Sequence, residues 1–375
     1  MSDYSAFVPE HIRKLGGYTP GKSLRQAQRE TRVTCIKLAS NESPFGPSPK
    51  AIAAMQSVLG EINFYPDNDA SELRQRLADR HEVRPEQIVV TAGSTSLLGI
   101  ITRTLLAPGL NAVTSLRSFI VYPIATKACC AELIEVPMRN DGFDLDGILA
   151  AINRDTRIVF IANPNNPTGT LLTPDEIERF LDRVPDHVIT ILDEAYCDFG
   201  QYFAIRHRVE YSRSLDYVHA GRRVVVLRTF SKAHGLAGVR IGYGVGPAEL
   251  MSYFARMRTT FSVSVPAQAA ALAALDDAAH IQMALENNAA QAEIVLSGLA
   301  ELGYKPVPTW ANFIYCDLGE DASEIARKMQ NEGVIIRPLG PWGAPRSIRV
   351  TIGTPEQNQT FLQAFRKVAP REAVK

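Results

Sequence analysis

Through the middle of the chain, short runs rich in β-branched residues alternate with longer stretches of helical pattern. QIVVT is followed by SLLGIITRTLL, NAVTS by FIVYPIATKA, and RIVFIAN by TPDEIERFLDRV; VITILDE, VVVLRTF and RIGYGV come after. Alternation of this kind predicts an α/β fold with a mostly parallel sheet covered on both faces. VITIL and VVVL are apolar at every position, as strands buried on both sides should be. Thr173-Pro174-Asp175-Glu176 reads as a helix start, with a threonine cap, proline at the first helical position and glutamate three residues after the cap.

From Pro266 onward the texture changes. The alanine-rich stretch 267–292 is interrupted by Asp276, Asp277, His280 and Glu286, and reads as a helix pair rather than a membrane span. FIYCDL, VIIRPL and SIRVTIG follow, with helical patterns at 322–331 and 355–368. The expected division is an arm over 1–33, a large domain over 34–265 and a smaller α+β domain over 266–375. The first residues of the large domain could pack with the small one. A chain of 375 residues is long enough for this and for a deep, dry pocket.

Charge narrows the partners. Lys+Arg and Asp+Glu balance at 40 each, so no field of one sign exists to attract nucleic acid or an anionic membrane, and a small molecule is the expected partner. The five cysteines are odd in number, include the vicinal pair Cys129-Cys130 and form no CxxC. Neither a disulfide framework nor a metal site is expected, and the compartment reads as cytoplasmic. Two glycine motifs fail on context. GGYTPGKS, at 16–23, matches a phosphate-loop pattern but follows a polar, helix-like segment instead of a buried strand; GYGVG is cut short by Pro247.

The strand ends carry the chemistry, because ligands of open parallel sheets bind beyond the carboxyl ends of the strands. After QIVVT, the segment Gly93-Ser94-Thr95 opens a helix whose free N–H groups suit an anion, though a glycine turn alone would look the same. After RIVFIA, NPNNPTG can aim Asn166 over the sheet, or can be a plain turn. Asp193 ends a wholly apolar strand, so a cation should face it: a ligand, or a core arginine in a structural ion pair. Lys232 ends VVVLRTFSK, where desolvation would make its amine nucleophilic, unless the side chain snorkels to solvent. Arg240 could clamp a dianion bidentately. One ligand needs all of these together: pyridoxal phosphate, with a pyridine nitrogen for an acid, an aldehyde for a lysine, and a phosphate for an arginine and a helix N-terminus.

The ordered set LASNESPFGPSP, YPDND, ANPNNPTG, ILDEAYCDF, LRTFSKAHGLAGVRIGYGVG and SIRVTIGTPEQN resembles the fold-type I pyridoxal-phosphate aminotransferases, and most closely their histidinol-phosphate aminotransferase branch. The resemblance implies that Lys232 anchors the cofactor aldehyde and shuttles the substrate proton. It places Asp193 at the ring nitrogen, Asn166 and Tyr196 at the ring oxygen, and Phe119 against the ring. Gly93, Ser94, Thr95, Ser231 and Arg240 would surround the phosphate, with Tyr65 reaching it from a neighbouring subunit of a homodimer with shared sites. Tyr18, Asn41, Arg337 and Arg349 match substrate-side positions, Arg349 being the main anion receptor. The implied reaction takes an amino donor and then a 2-oxo acid, 2-oxoglutarate. Aromatic or other α-amino acids are alternative donors, and decarboxylase, lyase or oxidase chemistry is an alternative use of the cofactor. A non-catalytic regulator would be expected to carry an added DNA-binding extension. The chain departs from the family pattern at GSTS, at Arg117-Ser118-Phe119, at Ser43, at His234, read as a polar packing residue, and in a longer stretch between DEAY and Lys232.

Overall fold

The strands at the centre of the molecule are those whose sequences are apolar throughout. A computed structural model describes residues 4–17, 21, 24–31 and 33–369. Its main sheet has seven strands, in the spatial order 88–91, 242–245, 224–229, 189–193, 156–162, 111–115 and 132–136. All neighbours are parallel except Gly242–Val245, which runs antiparallel to both of its partners. Val224, Val225, Val226 and Leu227 have no exposed surface, as helices on both faces require. The strand Gly242–Val245 accounts for GYGVG: a Cβ on Gly242 would come within 2.6 Å of the Ser94 nitrogen and 2.9 Å of the Arg228 carbonyl. That glycine is there because a helix terminus and a strand both press on it.

The helix Pro174–Leu181 starts as its sequence predicts. Thr173 accepts from the Glu176 N–H and the Glu176 side chain returns to the Thr173 N–H. The helix Ser94–Leu105 differs in having Gly93 as its cap residue, with no side-chain cap. The alanine-rich stretch forms two helices, Val265–Leu275 and Ala278–Glu301.

A four-stranded antiparallel sheet follows, in the order 337–339, 344–351, 313–317 and 306–307. A second hydrophobic cluster, including Ile314, Ile348, Phe361 and Phe365, packs it against the helix Pro355–Val368. VIIRPL is split between two sheets. Val334–Ile335 pairs with Ile36–Lys37, whereas Arg337–Leu339 is an edge strand against 344–351, where Pro338 can be tolerated. Among the described residues no helix is long and apolar enough to cross a membrane. The segment before GGYTPGKS is the helix Glu10–Arg13, not a strand; residues 18–20, 22 and 23 of the motif lie outside the described residues.

Candidate active site

Parallel strands deliver their last residues to one edge, and there they enclose a cavity of about 490 Å³. Asp193, the final residue of its strand, is only 4 % exposed. Its Oδ2 accepts from the Tyr122 hydroxyl at 3.0 Å and its Oδ1 from the Ala195 N–H at 3.2 Å. Burial pushes the carboxyl up to about pKa 6, against the pull of those two donors and of Lys232. The core arginine that might have paired with it, Arg228, is bound elsewhere: its Nη2 and Nε lie 2.8 and 3.1 Å from Glu194 Oε2. Asp193 thus keeps a buried carboxylate facing neutral donors, which is the arrangement a cationic ring nitrogen would complete.

Lys232 lines the same cavity and is half-buried, its Nζ donating to the Ser40 carbonyl at 3.2 Å. Burial, reinforced by the positive charge of Arg349, pulls its amine down to about pKa 7. Near neutrality an unprotonated, nucleophilic fraction is therefore available. Tyr196 lies beside it, the Lys232 Nζ being 5.6 Å from the ring centroid, and its hydroxyl accepts from Asn41 Nδ2 at 2.8 Å.

An anion cradle closes one end. Ser94 and Thr95 open their helix with first-turn N–H groups that no capping side chain engages. Arg240 approaches from the side, its Nη1 3.4 Å from Ser231 Oγ and 3.0 Å from the Ala237 carbonyl. Gly93, at φ 86°, makes room for it: a Cβ there would lie 2.6 Å from Arg240 Nη2. Phe119 lines the cavity and meets Tyr122 edge-on, with centroids 5.6 Å apart.

The substrate side comes from the four-stranded sheet. Arg349 is buried, with Nη1 2.5 Å from Asn166 Oδ1 and Nη2 3.1 Å from the Ala39 carbonyl. Arg337 stands directly across the strand pair from Arg349 and is buried as well, although it does not line the cavity. Trp342 lies under both, its ring centroid 4.8 Å from the Arg337 Cζ and 5.8 Å from the Arg349 Cζ.

Of the residues expected from sequence, Lys232, Asp193, Tyr196, Ser94, Thr95, Phe119, Asn166, Ser231, Arg240, Asn41 and Arg349 all line this cavity, and Gly93 shapes it. Tyr65 does not: it is 81 % exposed and stacked on Phe261. Tyr18 lies outside the described residues. Sequence reasoning missed Tyr122 and Trp342. Tyr122 follows Phe119 by three residues, a spacing that brings two rings together at a helix start, and Trp342 sits between the two arginines in the chain.

The donor set fits pyridoxal phosphate on three counts: a buried carboxylate without a cation of its own, a desolvated lysine, and a glycine-shaped cradle of helix N–H groups, hydroxyl and guanidinium. Comparison with known proteins agrees. The family model for aminotransferase class I and II matches residues 33–365. A Pseudomonas aeruginosa protein named histidinol-phosphate aminotransferase 2 is 43 % identical over 371 residues, covering 98 % of this chain and 99 % of its own. Histidinol-phosphate aminotransferase 1 of Thiobacillus denitrificans is 43 % identical over 367 residues, covering 97 % and 94 %. The crystal structure of histidinol-phosphate aminotransferase from Sinorhizobium meliloti, in complex with pyridoxal 5'-phosphate, superposes with a TM-score of 0.86 at 29 % identity, covering 96 % of this chain and 97 % of that one. Aspartate aminotransferase of Thermus thermophilus, at 23 % identity and a TM-score of 0.83, shares the fold. The chain belongs to the class I and II aminotransferases: it is a pyridoxal-phosphate-dependent enzyme of fold type I that moves an amino group from a donor to a 2-oxo acid.

Proposed function

We propose that the amino donor is histidinol phosphate and that 2-oxoglutarate is the acceptor. The observation that carries this is Arg349, a buried guanidinium that lines the cavity, with the second buried arginine, Arg337, across the strand pair behind it. A guanidinium fork matches the paired oxygens of a phosphate, and a dianion gains more from positive charge at this wall than a monoanion does. A phosphate monoester is close to a dianion at neutral pH, whereas a single carboxylate carries half that charge. The names of the relatives support the same donor.

When bound, pyridoxal phosphate supplies an electron sink for the charge left on the donor carbon as its proton departs. The side chains do the rest. Lys232 would anchor the cofactor aldehyde and, with its amine free, would serve as the group that takes the proton from the donor carbon. Its lowered pKa lets it act in both directions near neutrality. Asp193 holds the ring nitrogen in its protonated form. Asn166 and Tyr196 steady the ring oxygen, with Asn166 also gripping Arg349, so that cofactor and substrate sides share one amide. Ser94, Thr95, Ser231 and Arg240 retain the cofactor phosphate, and Phe119 packs on the ring.

A homodimer with shared sites completes this reading, the partner subunit's Tyr65 reaching the phosphate. The apolar surface around that residue supports it, with Ile62 63 %, Phe64 70 % and Tyr65 81 % exposed. All five cysteines are free, in keeping with a cytoplasmic enzyme. The test is a half-reaction without 2-oxo acid, in which holoenzyme is mixed with histidinol phosphate or with each amino acid and loss of the cofactor's visible absorbance is followed. Histidinol phosphate should give the highest kcat/KM; a faster reaction with an aromatic amino acid would overturn the donor.

A further inference from the structure

Asn41 lines the active-site cavity with φ 56°, in the left-handed region that asparagine tolerates better than most residues. It is buried, and all four of its polar groups are held. Its N–H donates to Thr351 Oγ1 at 2.9 Å and its carbonyl accepts from Asn312 Nδ2 at 3.1 Å. In the side chain, Oδ1 accepts from Thr351 Oγ1 at 3.3 Å and Nδ2 donates to the Tyr196 hydroxyl at 2.8 Å. Thr351 is buried too, but it does not line the cavity. It ends the strand Ala344–Thr351 directly across from Phe313, whose ring meets that of Tyr196 edge-on with centroids 5.1 Å apart.

These hydrogen bonds run in one direction. A hydroxyl has a single proton, and Thr351 receives the Asn41 N–H on a lone pair, so its proton is left for the amide oxygen. The amide is thereby turned with its NH2 end toward Tyr196. Were it flipped, two N–H donors of Asn41 would converge on Thr351 Oγ1 and the Thr351 proton would lose this acceptor. With the amide as donor, the Tyr196 oxygen accepts on that side, and its own proton points away from Asn41. We propose that Thr351 is a positioning residue that sets the direction of this chain, so that Tyr196 meets the cofactor's ring oxygen as a donor. The role rests on the reading of Tyr196 as a partner of that oxygen. A donor there favours the ionised oxygen, so Thr351 acts on the ring's protonation without touching it.

The test follows the visible absorbance of the holoenzyme as a function of pH. Tyr196→Phe removes the donor and should raise the titration midpoint by about one pH unit or more. Thr351→Val keeps the shape and removes the hydroxyl, which frees the amide to flip and draw the Tyr196 proton to itself; the midpoint should rise by about half as much. Thr351→Ser, which keeps the hydroxyl, should return the parental midpoint. The double variant Tyr196→Phe with Thr351→Val should match Tyr196→Phe alone, since a residue acting only through another adds nothing once the other is gone. A merely structural Thr351 would lower the unfolding stability of the cofactor-free protein and leave the midpoint in place. That result beside a shifted Tyr196→Phe, or shifts that add in the double variant, overturns the role of Thr351 and leaves Tyr196 at the ring oxygen. No shift in Tyr196→Phe overturns the reading of Tyr196 and the proposal with it.

Discussion

Two consecutive carboxylates leave the same strand end and face opposite sides of it. Asp193 lines the cavity and meets the neutral donors Tyr122 and Ala195; Glu194, on the far side, is held by Arg228 and by the Ser212 hydroxyl at 2.6 Å. Both are buried, at 4 % and 1 % exposure. The protein therefore solves the cost of a buried carboxylate twice, and differently. On the far side it supplies its own cation, and the charge becomes part of the framework. On the cavity side the cation is left to the cofactor. What marks a functional carboxylate here is not its burial but the neutrality of its partners.

The comparison breaks most visibly at the lysine. Lys232→Ala should lower turnover by about 10⁴-fold or more, the upper range for loss of a proton-transfer group. It should also abolish borohydride fixation of cofactor to the chain. Residual activity within tenfold of the parent would remove Lys232 from the cavity's chemistry. On the far side, Glu194→Gln should cost about 3–5 kcal/mol in denaturant unfolding by leaving Arg228 buried and unpaired. Its kcat per folded molecule should change by only a few fold. A stable Glu194→Gln enzyme would show that the pair with Arg228 is not framework after all.

Asp193→Asn should do the reverse. Catalysis should fall about 10²–10³-fold, as it does when one preorganised electrostatic contact is lost. The cofactor-free protein, in contrast, should become more stable. The carboxyl titrates near 6 in the folded chain against an ordinary value of 3.8, so between those values the folded state binds more protons than the unfolded one. Stability is then lost as pH rises through that window, and the penalty is complete above it. Removing the charge should return about 2–3 kcal/mol at pH 8 and nothing below pH 3.8. Unfolding curves of cofactor-free parent and variant at the two pH extremes measure it directly.

The cofactor half of the site was legible because it is local: each strand end carries its polar residue within a few positions of an apolar run, as in VITILDE and VVVLRTFSK. The strands 88–91, 111–115, 156–162 and 189–193 were readable for the same reason. The edge strand Glu132–Val136 was not, since its alternating charges mark a half-exposed strand, and the helix Ser71–His81 carries few apolar residues beyond Leu73 and Leu77. The substrate half depends on pairing over long separations. That Arg337 faces Arg349 follows from strand register, and that Trp342 lies beneath both follows from the turn between those strands; no periodicity in VIIRPLGPWGAPRSIRVTIG announces either. The split of VIIRPL has the same cause, since its first two residues pair with Ile36–Lys37 at the other end of the chain.

Tyr122 supplies the finest test of how the two carboxylates differ. It is fully buried, stacked on Phe160 with centroids 4.6 Å apart, and its hydroxyl reaches only the cavity-side carboxylate. By donating to Asp193 Oδ2 it favours the ionised form and opposes the upward push of burial. Tyr122→Phe keeps the ring and removes that donor, so the Asp193 pKa should rise further and cofactor binding should weaken as pH falls toward neutrality. Reconstitution of cofactor-free protein, followed by cofactor absorbance across pH 6 to 9, should show a roughly tenfold weaker affinity at the acid end and near-parental affinity at the alkaline end. A loss that is uniform with pH would make the phenol a packing group. Arg228 and Glu194 on the far side should be untouched in either case, because the hydroxyl lies on the cavity side of the strand.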